Sequence, residues 1–234
     1  MLIVIDKRIP EIAKIHLAKY GNVIEFETFN ITYPAISCHP DIFFSQTEQR
    51  VICAPNLPLS YLNILKENLI AFYLGDKAVG KNYPESVHYN CTITEKHIFH
   101  RKEFTDSKLL ENASGLTFIE VPQAYTRCNL IALSNETFIT SDKGIESALR
   151  KQNLRVYYFS PEAVLLSEME NGFIGGALGV YDKKLFVIGN PDFHSWGKQF
   201  REVVANEKLE LVCLYDGPFI DGGGIFFFEQ TKQK

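Results

Sequence analysis

The sequence predicts an α/β fold in which one strand–turn–strand–helix–strand unit recurs from end to end. Three observations carry that expectation. Hairpin openings recur as HPDIFFSQTEQRVIC from His39, YNCTITEKHIFH from Tyr89, RCNLIALSNETFIT from Arg127 and GGALGVYDKKLFVIG from Gly175. A helix signal and then a β-rich run follow each of them. A fifth opening, DGGGIFFFE from Asp221, has no room for its second strand. The missing strand, helix and closing strand stand at the other end as LIVID, PEIAKIHLAKYG and NVIEFETF. The last strand is therefore expected to pair with the first. That pairing would close a five-bladed α/β propeller of ββαβ repeats with pseudo-five-fold symmetry, one domain over residues 1–234.

Each element has a local reason. Pro10 begins the helix EIAKIHLAKY and Gly21 ends it. Asn56 is positioned to cap a helix containing LPLSYLNILKEN, and Thr105 one containing SKLLENA, with Gly115 as a left-handed C-terminal cap. Ser141 or Asp142 caps GIESALRKQN, and Asp192 starts HSWGKQFREVVANE. The closing strands read LIAFYL, LTFIEV, LRVYYFS, LELVCLY and NVIEFETF. An open doubly wound sheet also alternates strands and helices. It would need a glycine-rich turn opening a helix after an early strand, whereas Gly222, Gly223 and Gly224 run into the strand IFFF.

Composition narrows the function classes. A net charge of -4 argues against general nucleic-acid binding and against an anionic membrane surface. No apolar run reaches the length of a membrane span, and MLIVIDKRIP is too short a stretch for a secretory signal. The five cysteines show no CxxC spacing, so neither a disulfide framework nor a zinc knuckle is expected, and a reducing cytoplasm is the expected compartment.

Five ββαβ units closed by terminal strands resemble the pentein, or guanidine-modifying-enzyme, fold of amidinotransferases, arginine and agmatine deiminases and dimethylarginine dimethylaminohydrolases. The fold also includes a non-catalytic ribosomal anti-association factor. Phrases such as CHPDIFF, YPESVHYN, YTRCNLIA, TSDKGIESAL and GFIGGALG resemble an uncharacterised bacterial family of that fold. The resemblance implies a nucleophilic cysteine after a glycine-rich stretch of the form GGGNIHC. Here that stretch is Gly222-Gly223-Gly224-Ile225-Phe226-Phe227, and phenylalanine neither attacks carbon nor moves a proton. The usual C-terminal nucleophile is absent.

Other residues are candidates to replace it. His39-Pro40-Asp41 has the family's histidine–acid spacing, and in an extended segment both side chains would face one way. His39 would then be the acid/base, with the Asp41 carboxylate holding a cationic nitrogen group. A surface histidine beside a capping aspartate is the competing reading. Cys91 and Cys128 lie at like places in opening strands, and Cys128, flanked by Arg127 and Asn129, is the better nucleophile candidate, against a role as a small buried hydrophobe. Cys38, Cys53 and Cys213 are read as structural, and Trp196 as core. Asn90, Arg127, Asp221, Gly222 and Gly223 are candidate ligand-binding residues, while Tyr125 and Tyr89 precede inward strands and are placed to line a pocket. Asp192 and His194 offer no third ligand nearby, so no metal and no cofactor is expected.

Two functional classes follow. One is a small-molecule hydrolase or transferase that holds a cationic guanidinium or amine ligand in an axial pocket. The other is a non-catalytic scaffold that binds a protein or ribosomal partner. An open pocket would favour the first and a plugged hollow the second.

Overall fold

The computed structural model describes residues 1–47 and 50–230. The chain opens with β1 (Leu2–Asp6), α1 (Glu11–Leu17) and β2 (Asn22–Phe26). Next come β3 (Phe44–Gln46), β4 (Val51–Cys53), α2 (Leu59–Glu67) and β5 (Phe72–Leu74). The turn between β3 and β4 at positions 48 and 49 lies outside the described residues. The third run is β6 (Thr92–Ile93), β7 (His97–His100), α3 (Ser107–Asn112) and β8 (Thr117–Glu120). It is followed by α4 (Thr126–Asn129), β9 (Leu130–Ala132), β10 (Thr137–Thr140), α5 (Lys143–Lys151), β11 (Arg155–Tyr158) and β12 (Val164–Leu165). The chain ends with β13 (Leu178–Tyr181), β14 (Lys184–Val187), α6 (Gly197–Asn206), β15 (Glu210–Cys213), β16 (Phe219–Ile220) and β17 (Phe226–Phe228).

Among the described residues, five three-stranded sheets share one connectivity: β3-β4-β5, β6-β7-β8, β9-β10-β11, β13-β14-β15 and β17-β1-β2. In each, the middle strand is antiparallel to the first and parallel to the third. The parallel step requires a crossover, which is where the helix of each unit lies. The terminal strands pair as expected, with Leu2 opposite Phe228 and Val4 opposite Phe226. As a middle strand, β1 is buried at every position, consistent with its unbroken apolar run. First strands of successive units lie against one another, β3 with β6, β6 with β9, β9 with β13 and β13 with β17. The Gln46 side chain donates to the Phe227 carbonyl at 2.7 Å, linking β3 to β17. Among the described residues, no hydrogen-bonded sheet closes on itself. A separate parallel pair, β12 with β16, has no counterpart in the repeat.

Phenylalanines fill the space where the first and last units meet. Phe26 packs on Phe43 and Phe44, and Phe44 on Phe228, with ring centroids 5.4, 5.4 and 5.8 Å apart. Edge-on and tilted aromatic contacts of this kind add to the gain from burial.

Several caps differ from expectation. Asp142 does cap α5, accepting from the Ile145 N–H, and Pro10 does precede α1. At α2 the N-cap is Pro58, because the Asn56 amide is engaged in two hydrogen bonds with the Val79 backbone. At α3 the cap is Asp106, because the Thr105 hydroxyl sits against His100 and the Arg101 carbonyl. Gly115 is not left-handed, since α3 already ends at Ala113 with φ -100°. Asp192 lies in a short 3-10 turn of its own and pairs with Arg201, and α6 starts only at Gly197. Trp196 is 39% exposed rather than core, and Cys213 is half-buried. Among the described residues, no helix is long and apolar enough to cross a membrane.

Candidate active site

The site is built where the units begin, just ahead of their first strands. His39 is extended and caps a 3-10 turn, Pro40–Ile42, that carries Asp41 and leads into β3. Asn90 stands ahead of β6. Arg127 and Cys128 lie on α4, a single helical turn ahead of β9, not on an opening strand as the sequence suggested. Asp221 and the glycines connect β16 to β17. The N–H groups of Thr126 and Arg127, at the start of α4, both donate to the Asn90 carbonyl. One unit therefore fixes the helical turn of the next, satisfying orphan donors that a short helix leaves exposed.

His39, Asp41 and Cys128 converge. Their donor atoms lie within 4.8 Å of one another and all three residues are buried. The Cys128 thiol donates to Asp41 Oδ2 at 2.7 Å. Asn90 holds both partners: its Nδ2 donates to Cys128 Sγ at 3.2 Å and to the Asp41 carbonyl at 3.3 Å, and its Oδ1 accepts from the Cys128 N–H. His39 faces two further carboxylates, with Nε2 3.8 Å from Asp6 Oδ2 and Nδ1 3.8 Å from Asp221 Oδ1. Both ring nitrogens and Asp41 Oδ1 lack a hydrogen-bond partner although fully buried. Such groups are rare in native structures.

The backbone is shaped around this cluster. Gly223 has φ +65°, and a Cβ there would sit 2.5 Å from His39 Cβ. Gly224 has φ +80°, and a Cβ there would meet the Arg127 guanidinium at 2.7 Å. Gly222 faces Ile9 and the Asp6 side chain, and its N–H donates to the Gly176 carbonyl. Asp221 accepts from the N–H groups of Phe173 and Gly223.

Burial sets the electrostatics. It raises the Asp41 pKa to about 6, with His39 opposing the rise. It raises Asp221 for the same reason, again offset by His39. Burial, reinforced by the Asp41 and Asp221 charges, lifts the Cys128 thiol well above its usual value. The cations are Arg127, which donates to the Gly175 and Leu178 carbonyls at 2.8 and 3.0 Å, and Arg8, which grips Asp6 from the surface. Arg127 is thus anchored to backbone and does not bond Cys128.

The side chains of the cluster are buried. Tyr125 lies at its margin, with its hydroxyl 2.6 Å from Ser86 Oγ and 3.4 Å from the Tyr33 hydroxyl. Arg8 bridges Asp6 to the Pro34 and Ala35 carbonyls. A hollow of about 410 Å³ does exist, but at the hairpin end of the first strands, where Gln46, Thr94, Asn135 and Phe227 line it and Arg127 reaches it. His39, Asp41 and Cys128 are buried and do not line this hollow.

Other readings change as well. Tyr89 does not face the cluster, because its hydroxyl bonds the Lys77 carbonyl and Asp106. His194 is tied to the Ser160 carbonyl and the Trp196 N–H, away from Asp192. Cys91 sits 3.2 Å from the Ser45 hydroxyl, outside the cluster. Sequence reasoning passed over Asp6 and Arg8. The signal was present, since an acid that ends the all-buried strand LIVID needs a partner, and Arg8 stands two residues on.

Comparisons with known proteins agree with this architecture. No curated protein matches the sequence. Among solved structures, the chain is similar to SxtG, an amidinotransferase from Microseira wollei in a saxitoxin biosynthetic pathway, with 10% identity, a TM-score of 0.58, and coverage of 100% of this chain and 94% of that one. It is similar to DDAH from Pseudomonas aeruginosa, a cysteine-to-serine mutant complexed with citrulline, with 9% identity, a TM-score of 0.52, and 91% of each chain covered. It is also similar to an agmatine deiminase from C. jejuni, with 10% identity, a TM-score of 0.52, and 91% and 74% of the two chains covered. These likenesses establish the pentein fold and, at such identities, nothing of the reaction. The model described as a family of unknown function, DUF6873, matches residues 4–226. With nearly the whole described length matched, the chain belongs to the DUF6873 family.

Proposed function

We propose that the chain is a five-bladed α/β propeller whose buried cluster binds a guanidinium or amine ligand and attacks it through Cys128. The observation that carries the reading is the convergence of Cys128, Asp41 and His39 beside Asp6 and Asp221, with buried polar atoms left unpaired. A cationic ligand suits a cluster rich in carboxylates and would lower the thiol pKa that burial has raised. Asp41 Oδ2 is the base nearest the thiol and takes its proton as sulfur attacks the amidine-type carbon. The leaving amine takes a proton from a protonated His39. Water then gives a proton to His39 and its oxygen to the carbon. The C–S bond breaks, sulfur recovers its proton from Asp41, and the hydroxyl proton left on the product passes to the released amine. An amine in place of that water would make the reaction a group transfer. Asn90, Arg127 and Asp221 hold the geometry, and Gly223 lets the chain pass close to His39.

The test compares labelling of Cys128 by a cationic haloacetamidine and by neutral iodoacetamide, alongside amine release from a panel of guanidines. Faster labelling by the cation, lost in Asp221→Asn, supports the reading. Equal labelling rates with no guanidine consumed overturn it.

One observation favours the second reading, a non-catalytic scaffold for a protein or ribosomal partner. Cys128 is 2% exposed and its thiol is held protonated. A guanidine-inert protein that captures a defined partner would bear that out.

A further inference from the structure

The same three side chains carry a second chemistry that does not depend on guanidine turnover. His39, Asp41 and Cys128 supply one nitrogen, one oxygen and one sulfur donor, all within 4.8 Å and all buried. A tetrahedral zinc ion with bonds near 2.0–2.3 Å holds its ligand atoms about 3.3–3.8 Å apart. The farthest donor atoms would therefore close by no more than about 1–1.5 Å, while Cys128 Sγ and Asp41 Oδ2, now 2.7 Å apart, would open by about 1 Å or less. We infer that this cluster is a site for a thiophilic divalent cation of the zinc type.

Three observations converge on it. The first is the unpartnered state of both His39 nitrogens and of Asp41 Oδ1. One ring nitrogen would bind the ion, and the other would donate to the carboxylate it already faces, Asp6 or Asp221. Carboxylate–histidine–metal relays of this kind orient the ring in metalloproteins. The second is charge. With Cys128 as thiolate, the cluster holds four negative charges, from Asp6, Asp41, Asp221 and Cys128, against two positive ones from Arg8 and Arg127. A divalent cation beside a neutral imidazole closes that balance.

The third is the outer shell. Asn90 Nδ2 donates to Cys128 Sγ, and backbone N–H groups hold Asp221. Both arrangements restrain the groups around the ion. Asp6 and Asp221 are already engaged by Arg8 and by backbone, which leaves a three-ligand site with a fourth position for water or a ligand atom. On binding, the thiol proton is released and the ion takes its place between Sγ and Asp41. A sulfur bound to the ion is not free to attack carbon, so metal binding and thiol catalysis exclude each other at this site.

The test uses the full-length protein after chelator dialysis, titrated with Co²⁺ and then with Zn²⁺. We expect one equivalent of Co²⁺ to give a thiolate-to-cobalt charge-transfer band and a tetrahedral visible spectrum, both displaced by Zn²⁺. Cys128→Ser should abolish the band and weaken Zn²⁺ binding at least about 100-fold, and Asp6→Asn should weaken it about 10-fold. Cys213→Ser should change nothing. His39→Gln provides the same loss of affinity if Cys128→Ser folds poorly. No charge-transfer band in the wild-type protein, or a band that survives Cys128→Ser, overturns the inference. Guanidine turnover by a protein that binds no metal removes this inference alone; metal binding without turnover removes the proposed function alone.

Discussion

The Cys128 thiol donates to Asp41 Oδ2 at 2.7 Å, joining two units that share no strand pairing. A thiol that donates to a carboxylate is a thiol held back from ionisation. Burial is the larger cause and the neighbouring acids add to it.

The first prediction concerns that restraint. In chelator-treated protein, neutral iodoacetamide should modify Cys213, which is half-buried, well before Cys128. Peptide mass spectrometry over a labelling time course reads the order directly. Cys128 labelling first would mean that the cluster opens readily in solution.

His100 gives a pH dependence of known sign. It is fully buried, with Nε2 2.9 Å from the Ala124 carbonyl and Nδ1 2.8 Å from the Thr105 hydroxyl, and burial lowers its pKa from 6.5 to about 4. The unfolded chain therefore binds the extra proton first. This contribution to stability is full above pH 6.5 and is lost as pH falls toward about 4. The loss is on the order of 3 kcal/mol, or roughly 6–12 °C in Tm for a chain of this size. Asp41 and Asp221, whose pKa values are raised, act with the opposite sign, favouring the fold as pH falls. Comparing wild type with His100→Gln across this window isolates the histidine. A shared slope would contradict the assignment.

Three glycines should rank by conformation and space. Gly223→Ala combines positive φ with a backbone-deep clash at His39 and should cost about 2–4 kcal/mol. Gly222→Ala meets the Ile9 side chain at 2.9 Å without positive φ and should cost less. Gly115→Ala meets nothing within 4 Å and should be neutral or stabilising by up to about 1 kcal/mol. Urea titration of the three variants checks the order.

Arg127→Lys should be far from conservative. The guanidinium bridges the Gly175 and Leu178 carbonyls and lies over the Phe226 ring at 5.4 Å, a geometry that an ammonium does not reproduce. A loss of about 1–3 kcal/mol in thermal or urea unfolding is expected. An unchanged midpoint would mean that the bridge carries no net stability.

The repeat was legible because hairpin, helix and closing strand recur in one order, and because caps such as Asp142 act locally. The convergence of His39, Asp41, Asn90, Cys128 and Asp221 was legible too, since like places in successive units come together. Its reason was not. His39 and Asp41 meet through a 3-10 turn rather than strand alternation, and Cys128 sits on a helical turn of four residues, too short to show a period. Asn56 and Thr105 looked like caps because their residue types suit caps, but tertiary partners claimed them first. Closure of the cluster is a property of distant loops meeting, which no local pattern encodes.

The pairing of β1 with β17 has a consequence in time. Among the described strands, Asp6 ends the first, and Asp221 to Gly224 lead into the last. His39, which faces both of those acids, waits between them for a wall that is synthesised some 180 residues later than its own. A growing chain can complete its middle units one by one. The cluster itself is complete only once β1 has met β17, so the walls around His39 depend on a pairing between strands far apart in the chain.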